Sequence, residues 1–472
     1  MIFEGLVGPT YALDARTFDC QRSVNLYPIV SEVGTSKSVT SLISSPGYEI
    51  FAEVGGGPIR GSKTVSSGRA FVVSGFDLYE INEDGTGTVK GTLLTTISRV
   101  SMDENGTQLM LVDGAYGYIY DMDANTFTRI TDPDFPACSS VTFLDGYFIV
   151  PKNNTSDFYI SALYDGLTWN ALDYSVAAAN PDNLVCAKAD NGVLWLLGDI
   201  STEVFQDTGA AAFPFERIPG AIIQTGCAAG HTVCALDNSL FWLGVDNLGR
   251  GVVWRSSGLS IQRVSNQAIE SIIAASNDLA GSYAYSYHER GHAFYCVNVT
   301  GLDTTLCFDA STNMWHERQY YDVTTNLYQQ HRASVHFFFK QKNMIGDRIN
   351  GKIYRQTQDV YSFDGETIHR IRTSPHADSE KQNIGFSVIE LDIENGAGLQ
   401  SGQGSDPQIM MQYSDDGART WSNERWVSLG KAGEYKKRVR WTRCGSSRDR
   451  VFKVLYTDPT QFQINEAYIN NG

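Results

Sequence analysis

No run of apolar residues in this sequence approaches the about 18 needed to cross a bilayer as a helix, so no segment is expected to span a membrane. Met1–Arg16 lacks the basic start and apolar core of a secretory signal peptide. The eight cysteines, at 20, 138, 186, 227, 234, 296, 307 and 444, form no C-x-x-C pair and no zinc spacing. They read as buried free thiols of a chain made in a reducing cytosol. Basic charge is also short: 37 Lys and Arg face 53 Asp and Glu, a net charge of −16. That argues against tight wrapping of nucleic acid, which needs a basic surface. It suits a soluble surface, or a lining that repels phosphate and lets nucleic acid slide past. There is no P-loop, dinucleotide fingerprint, G-x-S-x-G or nucleic-acid-binding module, and Gly55–Pro58 reads as a loop rather than a phosphate cradle. No amphipathic helix exceeds about two turns, the best candidate being Asn266–Ala275.

What the chain does have is aromatics and glycine. Tyr (24), Phe (23) and Trp (8) suit strands, and 44 Gly suit turns, so the composition points to an all-β protein. At 472 residues and 42% apolar, it can build one large or two ordinary domains. Short apolar runs recur, such as Ala70–Ser74, Gln108–Asp113, Gly146–Val150, Val193–Leu197 and Ser239–Leu243. So does an aromatic strand end followed by a polar turn and a returning Thr, Ser, Phe or Trp. It appears at Tyr79, Tyr120, Tyr164, Phe205, Trp254, Phe308, Phe363 and Tyr413, at steps of 41 to 55 residues. Several short strands per unit at that period predict a β-propeller of six or seven blades, because one blade cannot bury both its faces alone. A pair of β-sandwiches with unrelated hairpins is the competing reading.

The predicted division is an extended N-terminal arm over 1–46, a propeller over 47–371, and a smaller β domain or closing blade over 372–472. Within the last part, Gln412–Trp426 reads as a hairpin whose tip is Asp416 and Gly417, returning through Thr420 and Trp421. Glu394–Pro407 is a long Gly/Ser/Gln loop. Lys431, Lys436, Lys437, Arg438, Arg440, Arg443, Arg448 and Arg450 make a basic patch on an acidic chain. The patch is either a solvated strand face or a dock for an acidic neighbour or for DNA, and together with the 394–407 loop it is the expected contact surface. His288–His292 matches H-E-x-x-H, but its flanks are strand-like and Glu289–Gly291 suits a turn, so a hairpin tip is expected rather than a zinc helix. Ser414–Trp421 resembles the Asp-box turn of sialidase-like propellers, which is structural.

One ordered set of stretches runs from Ser23–Pro28 through Ser161–Trp169, Leu194–Gly198 followed by Thr202–Phe205, Phe213–Ile218 with Gly226–Ala229, and Asp237–Gly244. It continues through Gly291–Tyr295, Trp315–Arg318, Tyr413–Glu424 and Ser447–Phe452. Together these resemble the packaged-DNA stabilisation, or tail hub and nozzle, proteins of short-tailed bacteriophages. Ala418 departs from their pattern, standing where a second glycine is expected. The resemblance implies a structural virion protein of the tail, assembled in the host cytoplasm, with no enzymatic activity, catalytic residue, cofactor or metal. Six copies would form a ring below the tail adaptor, extend the DNA channel and help retain packaged DNA until ejection. Tail fibres, spikes or a needle would attach nearby, and double-stranded DNA would pass without sequence-specific binding. Two rival readings are a propeller glycosidase of sialidase type, and a glycan-binding tail component using aromatic loops such as Tyr283–Tyr287.

Overall fold

The computed structural model describes residues 2–33, 35–246 and 248–470, and its middle strands explain the repeats. Ala70–Ser74, Gln108–Val112, Val193–Gly198 and Ser239–Val245 are almost wholly buried along their length. Such strands need cover on both faces. The chain provides it by stacking four-stranded antiparallel sheets over 59–92, 101–129, 142–176, 184–223 and 234–263. A sixth blade spans 283–322. The seventh joins Ala333–Phe339, Lys342–Asp347 and Lys352–Thr357 to an outer strand, Gly47–Glu53, taken from far upstream. Each joint between blades holds its own apolar cluster. The one made by Phe337, Met344 and Ile353 of blade 7 with Ile59, Ala70 and Val72 of blade 1 closes the ring. Polar ties run along the same joints: Ala187 N donates to Ser140 Oγ (3.2 Å), Phe143 N to Asp103 Oδ2 (2.9 Å), and Ser334 Oγ to the Ile59 carbonyl (2.7 Å). They satisfy backbone groups on inner strand edges that lack a ladder partner. Gly47 opens the closing strand, and a Cβ there would lie 2.2 Å from the Val360 carbonyl oxygen.

The recurring turns are the hairpins between the third and fourth strands of blades 1 to 6. The last two copies are not blades. Phe363 sits in a two-residue strand beside Gly47–Glu53, and Tyr413 belongs to a separate β-sandwich. The one α-helix among the described residues, Gln267–Ile273, falls inside the expected Asn266–Ala275. Asn266 Oδ1 caps it by accepting from Ile269 N at 3.0 Å.

The sandwich corrects the predicted arm. One sheet orders Leu26–Val30, Thr40–Ser44, Gln463–Ile469, Val388–Ile393 and Val439–Thr442. The other places Cys20–Val24 beside Arg370–Thr373, followed by Asp449–Tyr456, Gln408–Ser414 and Arg425–Ser428. Residues within 1–46 therefore supply strands to both layers, and Phe3, Leu6, Leu26 and Leu42 enter the core. Without them each sheet loses an internal or edge strand and the core loses one wall. The C-terminal region is no closing blade, because Gly47–Glu53 already fills that place. Cys20–Val24 also runs parallel to Met314–Asp322, the outer strand of blade 6, so one continuous sheet ties the propeller to the sandwich.

At the joint between blades 6 and 7, His316 and His331 are buried near Arg318, itself wholly buried. Burial first, and then the Arg318 cation, hold both imidazoles well below their ordinary range. They are neutral in the fold, whereas the unfolded chain protonates them below about pH 6.5. Their contribution is therefore complete above that pH and is lost as pH falls. Each costs up to about 1.4 kcal/mol per pH unit once its unfolded form is fully protonated, and because that form is only half protonated at about pH 6.5, the pair removes about 2 kcal/mol between about pH 6.5 and 5.5. Urea unfolding across that interval checks this, and an unfolding free energy that stays level would refute it.

Candidate interaction surface

Strand parity sorts the basic residues. Val439 and Trp441 point into the sandwich core, so Arg438 and Arg440, which alternate with them, point out. Lys431, Lys436, Lys437, Arg443 and Arg448 lie on the connections to either side and are exposed. Arg438 forms a two-pronged pair with Glu390 across the sheet (Nε–Oε1 2.7 Å, Nη2–Oε2 2.5 Å), and that bond holds the Glu390 carboxyl below its ordinary range. Among the described residues, Lys431, Lys436, Lys437, Arg440, Arg443 and Arg448 make no ion pair, so their charge faces outward. The 394–407 loop packs beside them: Asn395 Nδ2 donates to the Lys437 carbonyl at 2.6 Å, and Gly433 N to the Gly396 carbonyl at 3.2 Å. Tyr435 and Trp426, 73% and 58% exposed, add aromatic surface to this end of the sandwich.

Arg450 does not belong to the patch. It is buried and grips Asp415 through two bonds of 2.6 and 2.7 Å, with the Tyr413 ring 4.1 Å from its guanidinium. The first residue of its strand, Asp449, begins a parity that turns Arg450 inward, so a run of charges in sequence is split between solvent and core. The adjacent carboxylate has a different task. Asp416 accepts from Arg419 N (3.0 Å), Thr420 N (2.9 Å), Ser414 Oγ (2.7 Å) and Thr420 Oγ1 (2.6 Å). The Thr420 hydroxyl bond leads the causes that hold Asp416 far below the usual carboxylate range. Gly417 and Ala418 follow at φ 71° and 62°. Ala418 takes the left-handed backbone expected of glycine, and packs in a small cluster with Cys20 and Val451. Trp421 lies against that cluster, with Lys453 Nζ 4.4 Å from its ring centre. This turn pins a sandwich hairpin, not a propeller blade.

His288–His292 is a hairpin tip, with Glu289 paired to His292 and Arg290 and Gly291 at φ 48° and 81°. His292 Nδ1 meets Asp309 at 2.7 Å. No group of three His, Cys, Asp or Glu able to hold a metal occurs among the described residues. Tyr283–Tyr287 is not an aromatic loop. It lies in the innermost strand of blade 6, where Tyr285 and Tyr287 are 3% and 2% exposed, so it offers no glycan platform. The eight thiols are free and all but Cys234 are buried.

Sequence reasoning missed the residues that weld the two bodies. Asn25 bends the chain from one sandwich sheet to the other at φ 54°. Its Nδ2 donates to the Gln319 (2.9 Å) and His369 (2.8 Å) carbonyls, and its Oδ1 accepts from Gln319 N (3.1 Å). Arg22 grips Glu317 of blade 6 (Nε–Oε1 3.0 Å, Nη2–Oε2 2.5 Å), and Thr10 and Thr304 hydroxyls donate to the same carboxylate. The only signal was the Ser23–Pro28 stretch itself, where an asparagine stands between two apolar strand starts.

Charge is also sorted between the bodies. Residues 1–46 and 370–472, which build the sandwich, hold 17 Lys and Arg against 17 Asp and Glu, leaving 20 against 36 for residues 47–369. No helix of the described residues is long and apolar enough to cross a membrane.

A closed ring of seven blades, fixed to a sandwich by one shared sheet, defines a β-propeller protein with an attached β-sandwich. Residues 8–361 match the family model described as Bacteriophage P22 Gp10, beta-propeller, and residues 369–472 match Bacteriophage P22 Gp10, beta-sandwich. The chain belongs to this family of phage packaged-DNA stabilisation proteins. No curated protein matches it in sequence. Among solved structures, it is similar to the N-terminal domain of Nup159 (9% identity, 71% of this chain and 99% of that one, TM-score 0.43). It is also similar to YCF48 bound to D1 peptide (13%, 66% and 98%, 0.39) and to PorZ of Porphyromonas gingivalis (9%, 73% and 44%, 0.39). Likenesses this distant carry nothing about function.

Proposed function

We propose that this chain is a tail hub or nozzle subunit of a phage virion. In this reading it assembles as a sixfold ring below the tail adaptor, extends the channel for DNA and helps retain the packaged genome until ejection. Fibres, spikes or a needle attach to its outer loops. The family membership supports the virion role. The observation that carries the ring is the sorting of charge: a sandwich with an unpaired basic end, on a chain whose net acidity lies entirely in residues 47–369. A basic end meeting an acidic flank on the next copy makes a head-to-tail contact, and such contacts close into a ring when the rotation from copy to copy closes. DNA passes between copies rather than along the propeller axis. The axial cavity is about 280 Å³, far too small for a duplex whose major groove alone is about 12 Å wide.

Replacing Lys436, Lys437 and Arg443 by Glu tests this. Arg438 is left alone because it serves Glu390 within the fold. The variant is expected to melt like the parent and to lose ring assembly on its adaptor, seen by native mass spectrometry. Intact rings in the variant would remove the patch from the interface.

A further inference from the structure

The propeller axis holds a cluster of cations that the structural role leaves unexplained. The cavity there is lined by the innermost strand or its lead-in from all seven blades, including Arg60, Lys63, Arg99, Lys188, His231 and His336. Two of the cations are already committed. Lys63 Nζ pairs with Asp103 Oδ1 at 2.7 Å. The Arg60 guanidinium is consumed by the Gly75, Thr95 and Ser98 carbonyls and the Thr95 and Ser98 hydroxyls.

The other two make no ion pair among the described residues. Arg99, from the lead-in to blade 2, donates to the Ser334 carbonyl and hydroxyl (3.3 and 3.1 Å). Its guanidinium lies 3.5 Å from the centre of the Tyr283 ring. No carboxylate pairs with it among the described residues. Lys188, from the first strand of blade 4, makes no hydrogen bond or ion pair among the described residues, although its charge acts on the Asp103 carboxyl that Lys63 already holds and on Asp190. The remaining lining supplies the hydroxyls of Ser101 and Ser140, which accept backbone N–H bonds and keep a proton to donate, whereas the Ser286 hydroxyl is spent on the Ala235 carbonyl. Arg99 and Lys188, both half-buried, bring more positive charge to the axis than the shared Asp103 carboxylate offsets, and an anion joining them would relieve that excess. A cavity of about 280 Å³ admits a small polyatomic anion with its water.

We propose that the axial cavity binds a small multivalent oxyanion of the phosphate class, held by Lys188 and Arg99 from different blades. The bound anion ties these blades across the axis and stiffens the ring. Guanidinium suits the planar edge of such an oxyanion, and the ammonium supplies a point charge opposite. The proposal is independent of the ring interface, since the sandwich patch plays no part in it.

Calorimetric titration of the full chain with inorganic phosphate, against sodium chloride of matched ionic strength, tests the site. Saturable binding is expected, together with a rise in the thermal midpoint that sulfate reproduces and chloride does not. Lys188→Gln is expected to weaken phosphate binding about tenfold. Lys188→Arg keeps the charge and is expected to retain most of the affinity, which covers the case in which the glutamine variant folds poorly. Lys381→Gln, on an exposed turn of the sandwich outside both the basic patch and the cavity, is expected to leave phosphate binding unchanged. Absence of saturable binding at millimolar phosphate would overturn the proposal, as would equal affinity in the parent and Lys188→Gln.

Discussion

A chain that begins at residue 55 is expected to lose cooperative folding altogether. The missing residues include Gly47–Glu53, which pairs along its whole length with Lys352–Thr357 and completes blade 7. They also include Cys20–Val24, the strand between propeller and sandwich, and the pair Leu26–Val30 and Thr40–Ser44. Six of the removed side chains, Leu6, Val24, Leu26, Tyr27, Leu42 and Tyr48, are at most 2% exposed. Trimming one buried leucine to alanine already costs about 2–5 kcal/mol. A whole domain is stable by only about 5–15 kcal/mol. The loss therefore exceeds what either body has to spare. Far-UV circular dichroism during a thermal ramp checks it: the truncated chain should show no cooperative transition and should bind a hydrophobic dye. A free arm, by contrast, could be removed without moving the midpoint, and that result would refute the structural role assigned to residues 2–53.

The contrast between arm and sandwich shows what local sequence can carry. The blades were legible because each is built from neighbours. A hairpin announces itself through an aromatic strand end, a turn residue and a returning strand within about a dozen residues, and the hairpins of blades 1 to 6 obey that pattern. The closing strand was not legible, because Tyr48 pairs with Gln356 and the turn that would mark a hairpin does not exist. The same holds for Ser23, whose partner is Arg372, and for Leu42, whose partner is Ile464. Strands of this kind carry ordinary β composition but no sign of where they go. The basic patch was legible as a density of positive charge, and the 394–407 loop packs beside it. What density hides is parity: Arg450 lies in the same run as Arg448 yet is spent on Asp415. The axial cations were invisible for a third reason. Arg99 and Lys188 come from different blades, and only closure of the ring brings them to one cavity.

Arg372 gives the second large effect, and it separates the two bodies. Its side chain is fully buried, and all five of its N–H groups are used on the N-terminal segment. Nε donates to the Leu6 carbonyl (2.6 Å), Nη1 to the Pro9 carbonyl (2.8 Å) and Ser23 Oγ (3.0 Å), and Nη2 to the Gly5 carbonyl (2.8 Å) and Gln21 Oε1 (2.6 Å). Burial draws its pKa down to about 9, so it remains charged at neutral pH. Three backbone carbonyls from residues 5–9 thus converge on one guanidinium, and that convergence folds the segment back over Arg370–Thr373. Arg372→Met fills similar space but leaves these acceptors without donors, at an expected cost of about 3–5 kcal/mol. Arg372→Lys keeps the charge with three donors in place of five and in no planar fork, so it should recover only part of that loss. The decisive measurement is hydrogen exchange. In Arg372→Met, amides of residues 5–24 should exchange far faster than in the parent, while those of the blade strands between 59 and 263, remote from the sandwich, should keep their protection. Uniform loss of protection across both bodies would mean that the propeller depends on this clamp as well. Unchanged exchange at residues 5–24 would mean that the guanidinium does not hold the segment at all.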